Sequence, residues 1–238
     1  EYAMKRLLAA GSGDVYQVSK VFRDGESGRR HNPEFTMIEW YRLGFDHRAL
    51  MDEVAALLHE LLGERLVRAP EHVTYRDAIA GATGLDPYTA PVGTLLAAAR
   101  DRLGDVPAEL AGDRDACLDL LMGAVVGPAL GIGGITFVHD YPASQAALAR
   151  LLPGDPPVAA RFEAYVGGLE LCNGFHELAD PAEQRRRFDA DRAARRARGL
   201  PCPPVDERLL AALAHGLPDC AGVALGFDRV AMLAAGTD

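Results

Sequence analysis

Arg23, Arg29, Arg30 and His31 crowd the stretch FRDGESGRRHNPEFT, residues 22–36, between two apolar runs. Arginine presents a planar fork of donors that suits phosphate oxygens. The loop reads either as a solvated turn or as a cradle for a polyphosphate. In a strand, period two puts Phe35, Met37, Glu39 and Tyr41 on one face and Thr36, Ile38, Trp40 and Arg42 on the other. A core face would not hold Glu39 without a partner. The first face is therefore either the mixed outer face of a hairpin or the wall of a site.

The stretch RFEAYVGGLELCNGF, residues 161–175, sets Gly167-Gly168 between two apolar runs, a two-residue turn signal. Pairing outward joins Val166 to Leu169 and Tyr165 to Glu170, and leaves Glu163 one diagonal from Glu170 on the same face. Two such carboxylates repel unless a proton or a cation lies between them. A magnesium ion that bridges phosphates takes only one or two protein carboxylates. The alternative is an exposed strand face carrying two acids. Asn173, Gly174 and Glu177 follow closely, and a buried Glu177 could hold a substrate ammonium, or the segment is a polar loop. Gly226 precedes Asp228-Arg229 where a helix is predicted to start. A glycine there lets backbone approach a ligand, and a helix N-terminus favours anions. An ordinary strand-to-helix turn is the alternative.

These residues need strands in hairpins. Val15 to Arg23 and Phe35 to Arg42 are predicted strands around the loop at 24–31. Asp46 is a predicted N-cap for a helix with Leu50, Val54, Leu57 and Leu61 on one face and Gly63 as its stop. Residues 74–130 read as mostly helical, and 135–139 as a short strand. Asp180, Pro181 and Glu183 predict a helix start by cap, N1 proline and capping box, with the helix running to Gly199. A shorter helix is expected at about 207–215, then a strand, a glycine and a helix in GVALGFDRVAML. Hairpins with helices between and around them make an α+β pattern, not βαβ alternation.

The 238 residues, 49% hydrophobic, can bury a large core, and no apolar run reaches membrane-span length. The formal net charge of −9 weighs against a broad nucleic-acid footprint. Four dispersed cysteines form no CxxC pair, which argues against a zinc site or disulfide framework and for a reducing cytosol. The chain opens on Glu1, so its natural start is expected upstream.

FRDGESGRRHNPEFTMIEWYR resembles motif 2 of the class II aminoacyl-tRNA synthetases of the lysyl type, and GVALGFDRVAML resembles their motif 3. EYAMKRLL, HDYPASQAALAR and ELCNGFHELADPAEQRRRF are similar to the same group in the same order. Within it, HNPEFTMIEWYR, NGFHELADPAEQRRRF and GLPDCAGVALGFDR most resemble the stand-alone branch that ligates (R)-β-lysine to elongation factor P. The resemblance implies one catalytic domain over residues 1–238, with motif 2 at about 15–42 and motif 3 at about 221–235. It implies a six-stranded antiparallel sheet flanked by helices, a cytoplasmic homodimer, and a motif 1 that would precede Glu1.

The same resemblance implies a site. ATP would be bound by Arg23, Asp24, Gly25, Glu26, His31, Asn32, Phe35, Glu170, Leu171, Gly226 and Arg229. Arg23 would take the α-phosphate, and Phe35 and Arg229 would lie on opposite sides of the nucleotide. Mg2+ would be held by Glu163 and Glu170. Glu1, Tyr41, Asn173 and Glu177 would meet the lysine-like substrate, Glu177 with Tyr41 at its side-chain ammonium; Glu39, on the strand face of Tyr41, and Ala224, which period two puts on one face with Gly226, are candidates for the same substrate. One departure concerns adenine: the synthetases read Phe-Arg-x-Glu, whereas here Gly25 stands at that Glu position and Glu26 follows, so either Glu26 or backbone reads the base. The implied chemistry is adenylation of (R)-β-lysine and transfer to elongation factor P, with tRNA an unlikely partner. The alternatives are the catalytic core of a lysyl-tRNA synthetase and a catalytically silent regulatory paralogue.

Overall fold

A computed structural model describes residues 1–25, 28, 32–107 and 110–237. Arg29, Arg30, Glu26 and His31, all named above for the phosphate loop, lie outside the described residues. Among the described residues, eight strands form one sheet in the order β1-β2-β8-β7-β6-β4-β3, with β5 added against β6. The first hairpin is β1 (Val15–Phe22) and β2 (Glu34–Leu43), paired from Val15 with Tyr41 to Phe22 with Glu34. β8 (Cys220–Gly226) lies antiparallel to β2 on one side and to β7 (Leu169–His176) on the other. β6 (Val158–Val166) joins β7 to β4 (Thr136–Pro142), with the short β5 (Leu151–Leu152) alongside. The edge strand β3 (Glu71–Thr74) runs parallel to β4.

The sheet therefore has more strands than the six expected, and one pair is parallel. β3 escaped the sequence reading because EHVT is too short to show an alternation: Glu71 and His72 are exposed, and Val73 and Thr74 only half-buried. The Gly167-Gly168 turn does set Val166 opposite Leu169 and Tyr165 opposite Glu170. Beyond those pairs the register shifts, so that Glu163 faces Asn173. The bulge adds a residue to β7 and re-aims the chain beside the cavity described below.

One face of the sheet is closed by α2 (His47–Leu62). Its N-cap Asp46 accepts hydrogen bonds from the main-chain nitrogens of Arg48 and Ala49. Leu50, Met51, Val54 and Leu58 pack there on Trp40, Phe137, Phe162, Val223 and Leu225. A second core joins α3 (Tyr75–Thr83), α4 (Val92–Leu103) and α5 (Arg114–Leu121) to Val138, Tyr141 and Ala159 of the sheet. A third packs α1 (Tyr2–Ala9) and α7 (Glu207–Gly216) around Tyr41 and Cys220. α6 (Pro181–Ala197) starts on the Asp180 cap as expected. The capping box does not form, because the Glu183 carboxylate turns to Arg187, whose Nε donates at 2.8 Å, and to Arg186. α8 (Phe227–Ala235) follows β8 directly.

On the α2 face, Gly174 sits opposite Phe162, and a Cβ at Gly174 would stand 2.4 Å from the Phe162 ring. Gly174→Ala should force that buried ring aside and cost about 1–3 kcal/mol, the usual penalty of overpacking. Urea unfolding of the two proteins measures it; an unchanged midpoint would show that the ring moves freely.

Candidate active site

On the face away from α2, neighbouring strands line up in rows across the sheet. Tyr41, Gly222 and Phe175 stand side by side on β2, β8 and β7. Glu39, Ala224 and Asn173 form the next row, and Met37 with Gly226 the third. All of them line one cavity of about 420 Å³. The strand rise puts Phe35 about 20 Å from Tyr41 along β2, so the cavity has two chemically distinct ends.

Arg23, Asn32, Phe35, Gly226, Asp228 and Arg229 line the first end, with Glu170 and Leu171 from β7. The main-chain nitrogen of Arg23 donates to the carbonyl of Pro33 at 2.9 Å, which closes the hairpin. The Arg23 guanidinium lies 5.5 Å from the centroid of the Phe35 ring. Arg229 Nη1 donates to the carbonyl oxygen of Glu170 at 2.6 Å and lies 4.0 Å from its carboxylate. The Asp228 carboxylate accepts from the main-chain nitrogen of Thr36 at 3.4 Å, tying the start of α8 to β2. Two guanidiniums and a helix N-terminus around an aromatic face suit a nucleotide with its phosphates. Asp24 and Gly25 make the exposed turn beyond Arg23 and do not line the cavity.

Glu163 is buried beside this end rather than in its wall. Its carboxylate accepts from Arg161 Nη2 at 2.6 Å and from the Tyr165 hydroxyl at 2.7 Å. The Glu170 side chain is 43% exposed toward the cavity. Desolvation in the recess, and next the Glu163 charge, push its carboxyl up to about 7. The pair thus has the like-charge strain that a proton or a divalent cation relieves. A carboxylate offers about four lone-pair sites, so Glu163 keeps acceptor capacity beyond its two partners. This donor set fits a Mg2+ shared with phosphate oxygens.

The second end is acidic: Glu1, Glu39 and Glu177 line it together with Tyr41. The sequence reading set the Tyr41 hydroxyl beside Glu177 at a substrate ammonium. In the structure that hydroxyl donates to Glu39 Oε1, while Gln17 Nε2 donates to Glu39 Oε2 at 2.9 Å. Glu177 is only 1% exposed and already has an internal cation, with Lys5 Nζ 2.6 Å from Oε2 and 3.0 Å from Glu1 Oε1. Burial pushes the Glu177 carboxyl up to about 7, against the attraction of Lys5.

Four contributors were missed in the sequence. Lys5 is one. Arg161 is a second: its Nε donates to Asn173 Oδ1 at 3.2 Å, which leaves the amide NH2 of Asn173 for the cavity. Phe175 is the third, a wall residue on the β7 row. Gly222 is the fourth, and its signal was present, since it keeps period two with Ala224 and Gly226. A Cβ at Gly222 would stand 2.4 Å from the Tyr41 ring and 2.6 Å from Glu177 Oε1. Gly222→Ala should therefore displace both groups and raise the KM of an ammonium substrate by about tenfold or more, as for a buried polar pair lost at about 1–3 kcal/mol. The KM for a nucleotide, were one held at the other end, should stay within about twofold; steady-state kinetics separate the two.

The sequence model of the family described as tRNA synthetases class II (D, K and N) matches residues 1–238. A protein of Vibrio cholerae named elongation factor P–(R)-β-lysine ligase is 54% identical over all of this chain and 72% of its own length. Proteins of the same name from Yersinia enterocolitica and Salmonella gallinarum are each 49% identical, again over all of this chain and 72% of theirs. The chain belongs to the class II tRNA synthetase family, in the branch of these elongation factor P–(R)-β-lysine ligases.

Proposed function

We propose that this chain is the catalytic body of an ATP-dependent ligase. It activates (R)-β-lysine as an adenylate and transfers it to a lysine side chain of elongation factor P. The observation that carries this is one cavity with guanidiniums around an aromatic ring at one end and three carboxylates at the other. The relatives' names supply the acceptor and the isomer.

In the first step a carboxylate oxygen of the amino acid attacks the α-phosphorus of ATP, and pyrophosphate leaves. A carboxylate is already a nucleophile, so no general base is needed. The protein's work is positioning and charge stabilisation. Arg23 and Arg229 are assigned to the charge that grows on the phosphate oxygens. Phe35 is assigned to the adenine ring, and Asn32, Gly226 and Leu171 to the rest of the nucleotide. Glu163 and Glu170 would hold Mg2+, which supplies neutralisation of phosphate charge. Glu1, Glu39 and Glu177 are assigned to the substrate's ammonium groups, with the Asn173 amide donating between the two ends. In the second step the acceptor's amine attacks the mixed anhydride, an amide forms and AMP leaves.

We read residues 1–238 as one catalytic domain of a cytoplasmic homodimer. Tyr16, Val18 and Phe22, all more than half exposed on the outer edge strand β1, support a covered face there. Among the described residues no helix is long and apolar enough to cross a membrane.

Pyrophosphate exchange with each lysine isomer, followed by transfer to elongation factor P or to lysine tRNA, tests the reading. Exchange with (R)-β-lysine and transfer to the protein are expected; robust charging of the tRNA would overturn it. Arg23→Ala should slow adenylation by about two to three orders of magnitude, the loss typical of a key charge stabiliser. Arg23→Lys should not restore the rate, because the fork is gone.

Ala224 stands in the floor between Glu39 and Asn173. The two isomers differ only in where the amino group joins the chain near the carboxylate. The Ala224 methyl is assigned to crowding the ammonium of α-lysine. One methyl is worth about 1–3 kcal/mol of discrimination. Ala224→Gly should shift the ratio of exchange rates toward α-lysine, and an unchanged ratio would place the discrimination elsewhere.

A further inference from the structure

Only two of the 25 lysines and arginines in this chain are lysines, Lys5 and Lys20, and Lys5 is buried to 2% exposure. It projects from α1 toward the acidic end of the cavity without lining it. Its ammonium lies 2.6 Å from Glu177 Oε2 and 3.0 Å from Glu1 Oε1. The other Glu177 oxygen points to the cavity floor, within 2.6 Å of where a Cβ on Gly222 would stand. One oxygen is thus held from behind while its twin is presented to a ligand.

We propose that Lys5 is a positioning residue for the amino-acid substrate: from outside the cavity it fixes the Glu177 carboxylate in one orientation and favours its charged form, so that the free oxygen is presented to a substrate ammonium. This rests on the reading of the acidic end as an ammonium site. The chemistry requires such a device. A fully buried carboxylate tends to take up a proton, and a neutral acid no longer attracts an ammonium as an anion does. The groups that face Glu177 mostly worsen the problem. Glu1 at the start of α1 and Glu39 of β2 add negative charge, and Tyr41 of β2 and Cys220 of β8 are neutral there. Arg150 donates only to the main-chain oxygen of Glu177, at 3.2 Å, and its charge is taken by Asp219 at 2.6 Å. Lys5 is the largest influence holding the Glu177 carboxyl down, and with it the carboxyl stands at about 7. A compact ammonium fits this role in a way that a planar guanidinium does not.

The sign follows from the ionised form being the binding form. In the wild-type protein, kcat/KM for (R)-β-lysine should fall as pH drops through about 7, since this ratio reports the free enzyme. Removing an opposite charge raises a carboxyl by about one to three pH units. Lys5→Met should move the acid limb up by that amount and raise the substrate KM about tenfold or more at neutral pH. The ATP KM should stay within about twofold.

The test uses the full-length protein and pyrophosphate exchange on four forms: wild type, Lys5→Met, Glu177→Gln and the double variant. Once Glu177 is an amide, adding Lys5→Met should change the substrate KM no further, and any acid limb that remains in those two forms, such as one from Glu170, should be the same in both. Coupled groups give such non-additive cycles. An acid limb that stays in place in Lys5→Met, or equal effects on the two substrates' KM, would overturn the proposal. Should Lys5→Met fail to fold, the comparison of Glu177→Gln with the double variant, which buries no unpaired charge, decides alone: a further rise in substrate KM overturns the proposal. Absence of wild-type exchange with either isomer would instead sink the functional reading itself.

Discussion

The strand β8, between β2 and β7, has almost no side chains on the face that holds the cavity. Gly222, Ala224 and Gly226 alternate there, while Ala221, Val223 and Leu225 enter the core beneath α2. The cavity is in effect the row of side chains that β8 lacks, walled by Glu39 and Tyr41 on β2 and by Asn173 and Phe175 on β7. Everything chemical depends on that register. A slip of one residue would turn Val223 and Leu225 into the cavity and bury the small residues. The hydrophobic face prevents this, because Val223 and Leu225 are within 2% of full burial. Packing on one side of the strand thereby sets the geometry of chemistry on the other.

Much of this was legible because strands show their period directly. The alternation of Phe35, Met37, Glu39 and Tyr41 places all four on the cavity wall, and Trp40 and Ile38 on the side of α2. The Gly167-Gly168 turn fixed the first pairs of its hairpin. Other parts left no local trace. The register shift between Ala164 and Tyr165 that sets Glu163 opposite Asn173 has no glycine or proline at that point to announce it. β3 is held by β4, a strand more than sixty residues later, and four residues carry too little pattern to announce it. Resemblance supplied the roles of the wall residues, but motif reading stops at the wall.

What lies behind the wall decides its polarity. Arg161, nearly buried, holds Glu163 and takes the carbonyl oxygen of Asn173, so the amide hydrogens of Asn173 are what the cavity receives. Its guanidinium is also stacked 4.3 Å from the Tyr141 ring centroid, which leaves little freedom to turn. Lys5 does the corresponding thing at the acidic end for Glu177. In sequence, a lysine four residues after a glutamate on a short helix reads as a solvated surface pair. Only the packing of α1 on Tyr41 and Cys220 turns it inward.

The two internal cations share a physical logic. Each sits outside the cavity, so a ligand never displaces it, and each spends its charge on orienting a group that does line the cavity or stands beside it. Dipoles and charges fixed before the ligand arrives need no reorganisation when charge develops. The alternative, flexible acids that turn toward a ligand on arrival, would lose part of the binding free energy to ordering them. In a chain with a net charge of −9, two of the 25 lysines and arginines, Lys5 and Arg161, are thus used to define direction. The acidic end can then receive cationic groups while the guanidiniums of Arg23 and Arg229 stay about one nucleotide's length away. On the proposed reading, that separation would leave the reacting carboxylate of a substrate between two regions of opposite charge, facing the phosphates rather than the acids.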